Sequence, residues 1–137
     1  MEKPTDYQIL FDGGSRGNPG PAYGSYALTR VADGKRELVR LSFDRPMTNN
    51  EAEYETVVTA LSDLIGRIER AHRSPEEFTV TVEGDSQLVI RQVLGTWKAR
   101  DERMRAYRDQ VRGLLSRFKG YRLKQRPRRE IVRVLGH

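Results

Sequence analysis

The chain has 137 residues, with 25 Lys and Arg against 19 Asp and Glu, a net charge of +6 and no cysteine. That length suits one domain able to bury a core, and the lack of cysteine excludes disulfide frameworks, thiolate zinc sites and thiol nucleophiles. No apolar run approaches the ~18 residues that span a bilayer, and residues 1–6 lack the apolar core of a signal peptide, so the expectation is a cytoplasmic protein with no membrane partner; a monomer is expected as well.

Tyr7 to Phe11 reads as a strand ending at Asp12, and Gly13 to Pro21 as a loop, since Gly, Ser, Asn and Pro crowd that stretch. Residues 22–31 and 35–43 flank Asp33-Gly34, a pair suited to a tight hairpin, so the first three strands are expected as an antiparallel meander. Thr48 or Asn49 caps a helix running to about Arg70, whose Val57, Ala60, Leu61, Leu64, Ile65 and Ile68 recur at three and four along one buried face. Phe78 to Val82 alternates as a β-branched strand and stops at Glu83-Gly84-Asp85. Ser86 to Leu94 is a short helix ended by Gly95, and Asp101 to Phe118 a longer one with Met104, Tyr107, Val111, Leu114, Leu115 and Phe118 inward; Trp97 is expected to pack beneath it, with a ring facing nucleic acid as the alternative. Lys119 to Lys124 is the last strand. A basic tail follows from about residue 126, in which Ile131, Val134 and Leu135 form one helical turn or a packed irregular end. The order describes an α/β domain, a mixed sheet flanked by helices, and in such sheets the site lies beyond strand ends.

Charge is distributed unevenly along this order. Residues 100–137 hold 13 basic and 4 acidic side chains, whereas residues 1–99 hold 12 and 15. A basic third of this kind attracts polyanions through counterion release, which makes nucleic acid the leading partner. A solvated helix face with an Arg-rich terminus explains the same charge equally well, so the partner has to be decided by more specific residues.

Asp12 and Asp85 each stand at the carboxyl end of an apolar strand. Glu53 lies four residues before Val57, seven before Ala60 and eleven before Leu64, so it shares the inward face of its helix while Glu51 and Glu55 do not. Inward carboxylates repel one another unless a cation balances them, and oxygen ligands select a hard ion such as Mg²⁺ or Mn²⁺. Taken singly, each of the three also fits an ordinary turn or helix-start residue.

Three segments remove that ambiguity. Asp12-Gly13-Gly14-Ser15-Arg16-Gly17-Asn18-Pro19-Gly20-Pro21 resembles the opening signature of type 1 ribonuclease H (ribonuclease HI), Thr48-Asn49-Asn50-Glu51-Ala52-Glu53 its TNNxxE helix start, and Gly84-Asp85-Ser86-Gln87-Leu88-Val89 its third acidic motif. The resemblance implies a ribonuclease H-like fold with a five-stranded mixed sheet, three strands antiparallel and then two parallel. It implies an endoribonuclease that hydrolyses the RNA strand of RNA/DNA hybrids with two divalent ions and leaves 5′-phosphate and 3′-hydroxyl ends. Asp12, Glu53 and Asp85 would be the catalytic metal ligands. Gly13 and Gly14 would let backbone groups approach ribose 2′-hydroxyls, and Asn18, Asn49, Asn50 and Gln87 match positions that contact the hybrid near its minor groove. Thr48 and Asn18 resemble a pocket for a DNA phosphate.

The chain departs from the family at its end. Arg126-Pro127-Arg128-Arg129-Glu130-Ile131-Val132-Arg133-Val134-Leu135 stands where the family has VPRExNxxAD, which puts Leu135 in place of the fourth acid. His137, Glu130 or water could substitute, and His137 is favoured because Ile131, Val134 and Leu135 can anchor a tail that brings it to the carboxylates. The family's mobile histidine has no match here, leaving Arg128 or Arg129 as phosphate contacts in its place. The basic protrusion of some bacterial members is absent, so hybrid affinity would rest on Arg100, Arg103, Arg108 and the tail. Rival readings are a catalytically impaired binder of hybrid or double-stranded RNA with the same fold, and a related nuclease acting on double-stranded RNA or a DNA junction.

Overall fold

A computed structural model describes residues 3–136. The opening meander consists of β1 (Tyr7–Ser15), β2 (Ala22–Arg30) and β3 (Lys35–Ser42), each antiparallel to the next. A 22-residue helix, α1 (Asn49–Arg70), crosses to β4 (Thr79–Gly84), which pairs parallel with β1. Helices α2 (Gln87–Leu94) and α3 (Glu102–Leu115) lead to β5 (Gly120–Gln125), parallel to β4, and the chain closes with α4 (Arg128–Leu135). The strand order is β3-β2-β1-β4-β5, the expected five-stranded mixed sheet.

The sequence explains why α1 starts where it does. The Thr48 hydroxyl accepts from the Glu51 amide and the Glu51 carboxylate accepts from the Thr48 amide, a reciprocal cap that satisfies two otherwise orphaned donors. The inward face then packs Val57, Ala60, Leu61 and Leu64, each 1% exposed or less, against Ile9, Phe11, Val80 and Val82 of the sheet. Helix α3 adds Val111 and Leu115 to the same core.

Three elements differ from the expectation. Strand β1 does not stop at Asp12 but pairs with β2 through Gly13, Gly14 and Ser15. Both glycines owe their place there to packing, since a Cβ on Gly13 would lie 2.8 Å from the Ala52 carbonyl oxygen and one on Gly14 2.6 Å from the Tyr23 hydroxyl. Helix α3 ends at Leu115, and a tight turn in which the Phe118 amide donates to Leu115 carries Phe118 into the core. The tail forms two turns of helix rather than one, on the sheet face opposite α1, where Ile131 and Leu135 pack against Ala27.

Candidate metal centre and nucleic-acid surface

Phe11 of β1 is in register with Gly84 of β4, and the two strands are parallel, so the residues that follow, Asp12 and Asp85, emerge together at one edge of the sheet. Glu53 reaches the same place from the second turn of α1. One carboxylate oxygen from each lies within 4.8 Å of the other two. Asp12 is buried at 5% exposure, and Glu53 and Asp85 are half-buried. Burial pushes the Glu53 carboxyl up to about 8, reinforced by the charge of Asp85 and then of Asp12, and opposed by a hydrogen bond with Ser86 and by Arg128. Three carboxylate oxygens this close together fit a hard divalent cation, whose charge removes their mutual repulsion.

The other expected positions fall around this edge. The Asn49 side chain accepts from the Ser15 amide at 2.7 Å, and the Asn18 side chain accepts from the Asn49 amide at 2.8 Å, so the turn after β1 is stitched to the start of α1. Thr48 is the cap already described. Asn50 is half-buried and Gln87, the first residue of α2, is exposed. Gly14 is buried beneath Tyr23, and Gly13 is half-buried against α1.

Leu135 is 2% exposed in the small apolar cluster under α4, and its carbonyl accepts from Arg40 Nη2 at 3.0 Å. Glu130 stands 3.8 Å from Arg126 Nη1 and is not part of the carboxylate cluster. His137 lies outside the described residues. Trp97 does not pack beneath α3: it is 45% exposed, with the Arg91 guanidinium 5.7 Å from its ring centroid. Arg103 reaches back to the buried Glu51 at 3.2 Å, and Arg108 pairs with Asp109.

Arg128, expected as a phosphate contact, is on the carboxylates instead. Its Nη1 lies 2.8 Å from Asp12 Oδ1 and 3.5 Å from Asp85 Oδ2. The signal that could have found it is helical phase, because Arg128, Ile131 and Leu135 share one face of α4.

A mixed sheet in this order, with acids at the carboxyl edge of its parallel central strands and on the facing helix, defines a ribonuclease H-like protein. A family profile described as reverse transcriptase-like matches residues 10–134. The chain is 34% identical over 126 residues to ribonuclease HI of Halobacterium salinarum, covering 86% of this chain and 55% of that protein. The crystal structure of ribonuclease H1 from the same archaeon superposes with a TM-score of 0.78 at 32% identity, covering 93% of this chain and 89% of that one. A ribonuclease H1 solved in complex with an RNA/DNA hybrid gives a TM-score of 0.74 at 27% identity over 93% and 89% of the two chains. The chain belongs to the ribonuclease HI family, and it spans about half the length of the curated Halobacterium relative.

Proposed function

We propose that the chain is a metal-dependent endoribonuclease that cuts the RNA strand of RNA/DNA hybrids. The convergence of Asp12, Glu53 and Asp85 within 4.8 Å carries this reading, because a binder has no use for mutually repelling carboxylates. Those three residues would hold two Mg²⁺ or Mn²⁺ ions, which when bound supply an activated water for in-line attack on a phosphodiester and a positive charge against the leaving 3′ oxygen, so that the ends are 5′-phosphate and 3′-hydroxyl. No protein nucleophile is required.

The protein's own contribution is placement. Asn18 and Asn49 hold the turn after β1 against α1, which fixes Gly13 and Gly14 beside the carboxylates, where backbone groups would meet ribose 2′-hydroxyls. Asn50 of α1 and Gln87 of α2 would serve as minor-groove contacts, while Thr48 and Asn18 would form the DNA-phosphate pocket. The relative solved with an RNA/DNA hybrid supports the choice of substrate.

The test is cleavage of a labelled hybrid beside matched double-stranded RNA and DNA, in Mg²⁺, Mn²⁺ or EDTA, with Asp12→Asn as the blank. Loss of the hybrid's RNA strand alone, dependent on metal and abolished in the blank, is expected. A second reading rests on the buried Leu135 at the usual acid position: salt-sensitive hybrid binding without cutting in either metal would make the chain a binder whose missing fourth carboxylate is decisive.

A further inference from the structure

The end of the chain lacks the family's fourth acid, yet its last helix does touch the acidic cluster. Ile131 and Leu135, 0% and 2% exposed, press one face of α4 onto Ala27, with Leu10 of β1 packed against the same cluster. Leu10 and Asp12 are two residues apart on one strand and share a face. The helix is therefore anchored directly below Asp12, and Arg128, three residues before Ile131 and seven before Leu135, is the member of that face delivered to the carboxylates. A single nitrogen, Nη1, spans Asp12 Oδ1 at 2.8 Å and Asp85 Oδ2 at 3.5 Å. These are the two acids that leave the sheet from neighbouring strands, so the guanidinium stands between them.

We propose that Arg128 is the resident counter-ion of the carboxylate cluster and sets its divalent-cation affinity: the guanidinium holds Asp12 and Asp85 together without metal, and a divalent ion bridging them binds by displacing it. This rests on the reading that the cluster takes such ions. A hard cation sits ~2.1–2.5 Å from its oxygen ligands, and with Nη1 already 2.8 Å from Asp12 Oδ1 the two positive groups could not share that oxygen without strong like-charge repulsion. Displacement is easy to accommodate. The Arg128 side chain is 51% exposed on a flexible stem, and it lines an open pocket of about 390 Å³ together with Arg16, Tyr23 and Arg40, so the freed guanidinium has solvent-filled room beside the site. Arg126, two residues earlier, is engaged with Glu83 at 2.8 Å, so it does not take over the role.

The measurement is isothermal titration of Mg²⁺ and of Mn²⁺ into the metal-free protein without nucleic acid, together with thermal melts in EDTA. The variants are Arg128→Met, Arg128→Gln, Arg128→Lys and, as a control for overall charge, Arg129→Met on the exposed side of the same helix. Both neutral variants are expected to bind the ions about five- to tenfold more tightly, a modest change because the pair is half in solvent, and to melt lower in EDTA. Arg128→Lys and Arg129→Met should stay within about twofold of the parent affinity. Affinity in the neutral variants that is unchanged, weaker or matched by Arg129→Met overturns the proposal and leaves the nuclease reading standing. If neither the parent nor the neutral variants bind either ion, the proposal and the metal-dependent reading fall together.

Discussion

The two faces of the sheet are built to different standards. On the α1 side Ile9, Phe11, Tyr26, Leu28, Val80 and Val82 meet α1 and α3 in one continuous core. On the α4 side, among the described residues, the buried apolar cluster is Ala27, Ile131 and Leu135, with Leu10 and Val134 at the margin. The rest of that face is polar or open, including Leu38 at 53% exposure opposite Ala27. Asp12 belongs to the thin side, whereas Glu53 comes from the thick one. The carboxylate edge thus joins a thick half that supplies Glu53 and a light half that carries Asp12 and Arg128, and Leu135 adds to the packing of the light half alone.

The largest separation of the two roles is expected from Glu53→Gln. The amide cannot serve as a carboxylate ligand, so hybrid cleavage should fall on the order of a thousandfold, while the metal-free protein at pH 8 should melt no lower than the parent, because the change removes a charge that burial opposes. Cleavage within tenfold of the parent would remove Glu53 from the site. Leu64→Ala is the converse. It empties a fully buried position under the thick face and should cost about 3 kcal/mol in denaturant unfolding while leaving cleavage per folded molecule intact. Ile131→Ala is equally buried but should cost only about 1–2 kcal/mol, because a two-turn helix can settle onto the gap or open locally. Its clearer readout is faster amide exchange confined to α4. Equal losses for the two variants would contradict the difference between the faces.

Much of this is legible in the sequence. Strand-end position marked Asp12 and Asp85, helical phase marked Glu53, and the three segments around them placed Thr48, Asn18 and Asn49 on one edge. What escaped depends on contacts between distant segments. Strand β1 continues through Gly13 and Gly14 because they pair with Gly24 and Tyr23 of β2, and no local propensity announces a glycine pair as strand. The place of Arg128 follows from where Ile131 and Leu135 land on Ala27, a tertiary contact that decides which carboxylates a long side chain can reach. Trp97 looked like core by its apolarity, but the link between α2 and α3 carries it outward to Arg91.

A subtler difference between the halves should appear in the pH dependence of the metal-free protein. Glu53 is raised from an ordinary 4.5 to about 8, first by burial and then by Asp85. Between those values the folded chain keeps a proton that the unfolded chain has lost, so stability is full below about 4.5, declines as pH rises, and levels off above about 8. Melts in EDTA from pH 5 to 8.5 should therefore show a falling midpoint. In excess Mg²⁺ the decline should shrink, since the ion competes with the proton for the same oxygens. Glu53→Gln should lose the slope in both buffers. A slope in EDTA that Glu53→Gln leaves unchanged would show that Glu53 is ionised in the folded chain throughout that range.

The smallest effect expected is at Thr48, which has a structural task and a proposed binding task. Its hydroxyl caps α1, so Thr48→Val should cost about 1 kcal/mol of stability, and losing a phosphate contact should weaken hybrid binding a few-fold. Thr48→Ser separates the two tasks, because it keeps the hydroxyl for both and removes only a methyl. If Ser restores stability and binding together, one hydroxyl serves the cap and the substrate in turn. If Ser restores stability while binding stays weak, the methyl packs against the bound strand and the cap has no part in recognition. Binding measured at several salt concentrations checks that either loss is local to Thr48, since losing an uncharged contact leaves the salt slope unchanged, whereas a displaced Arg contact lowers it by about one.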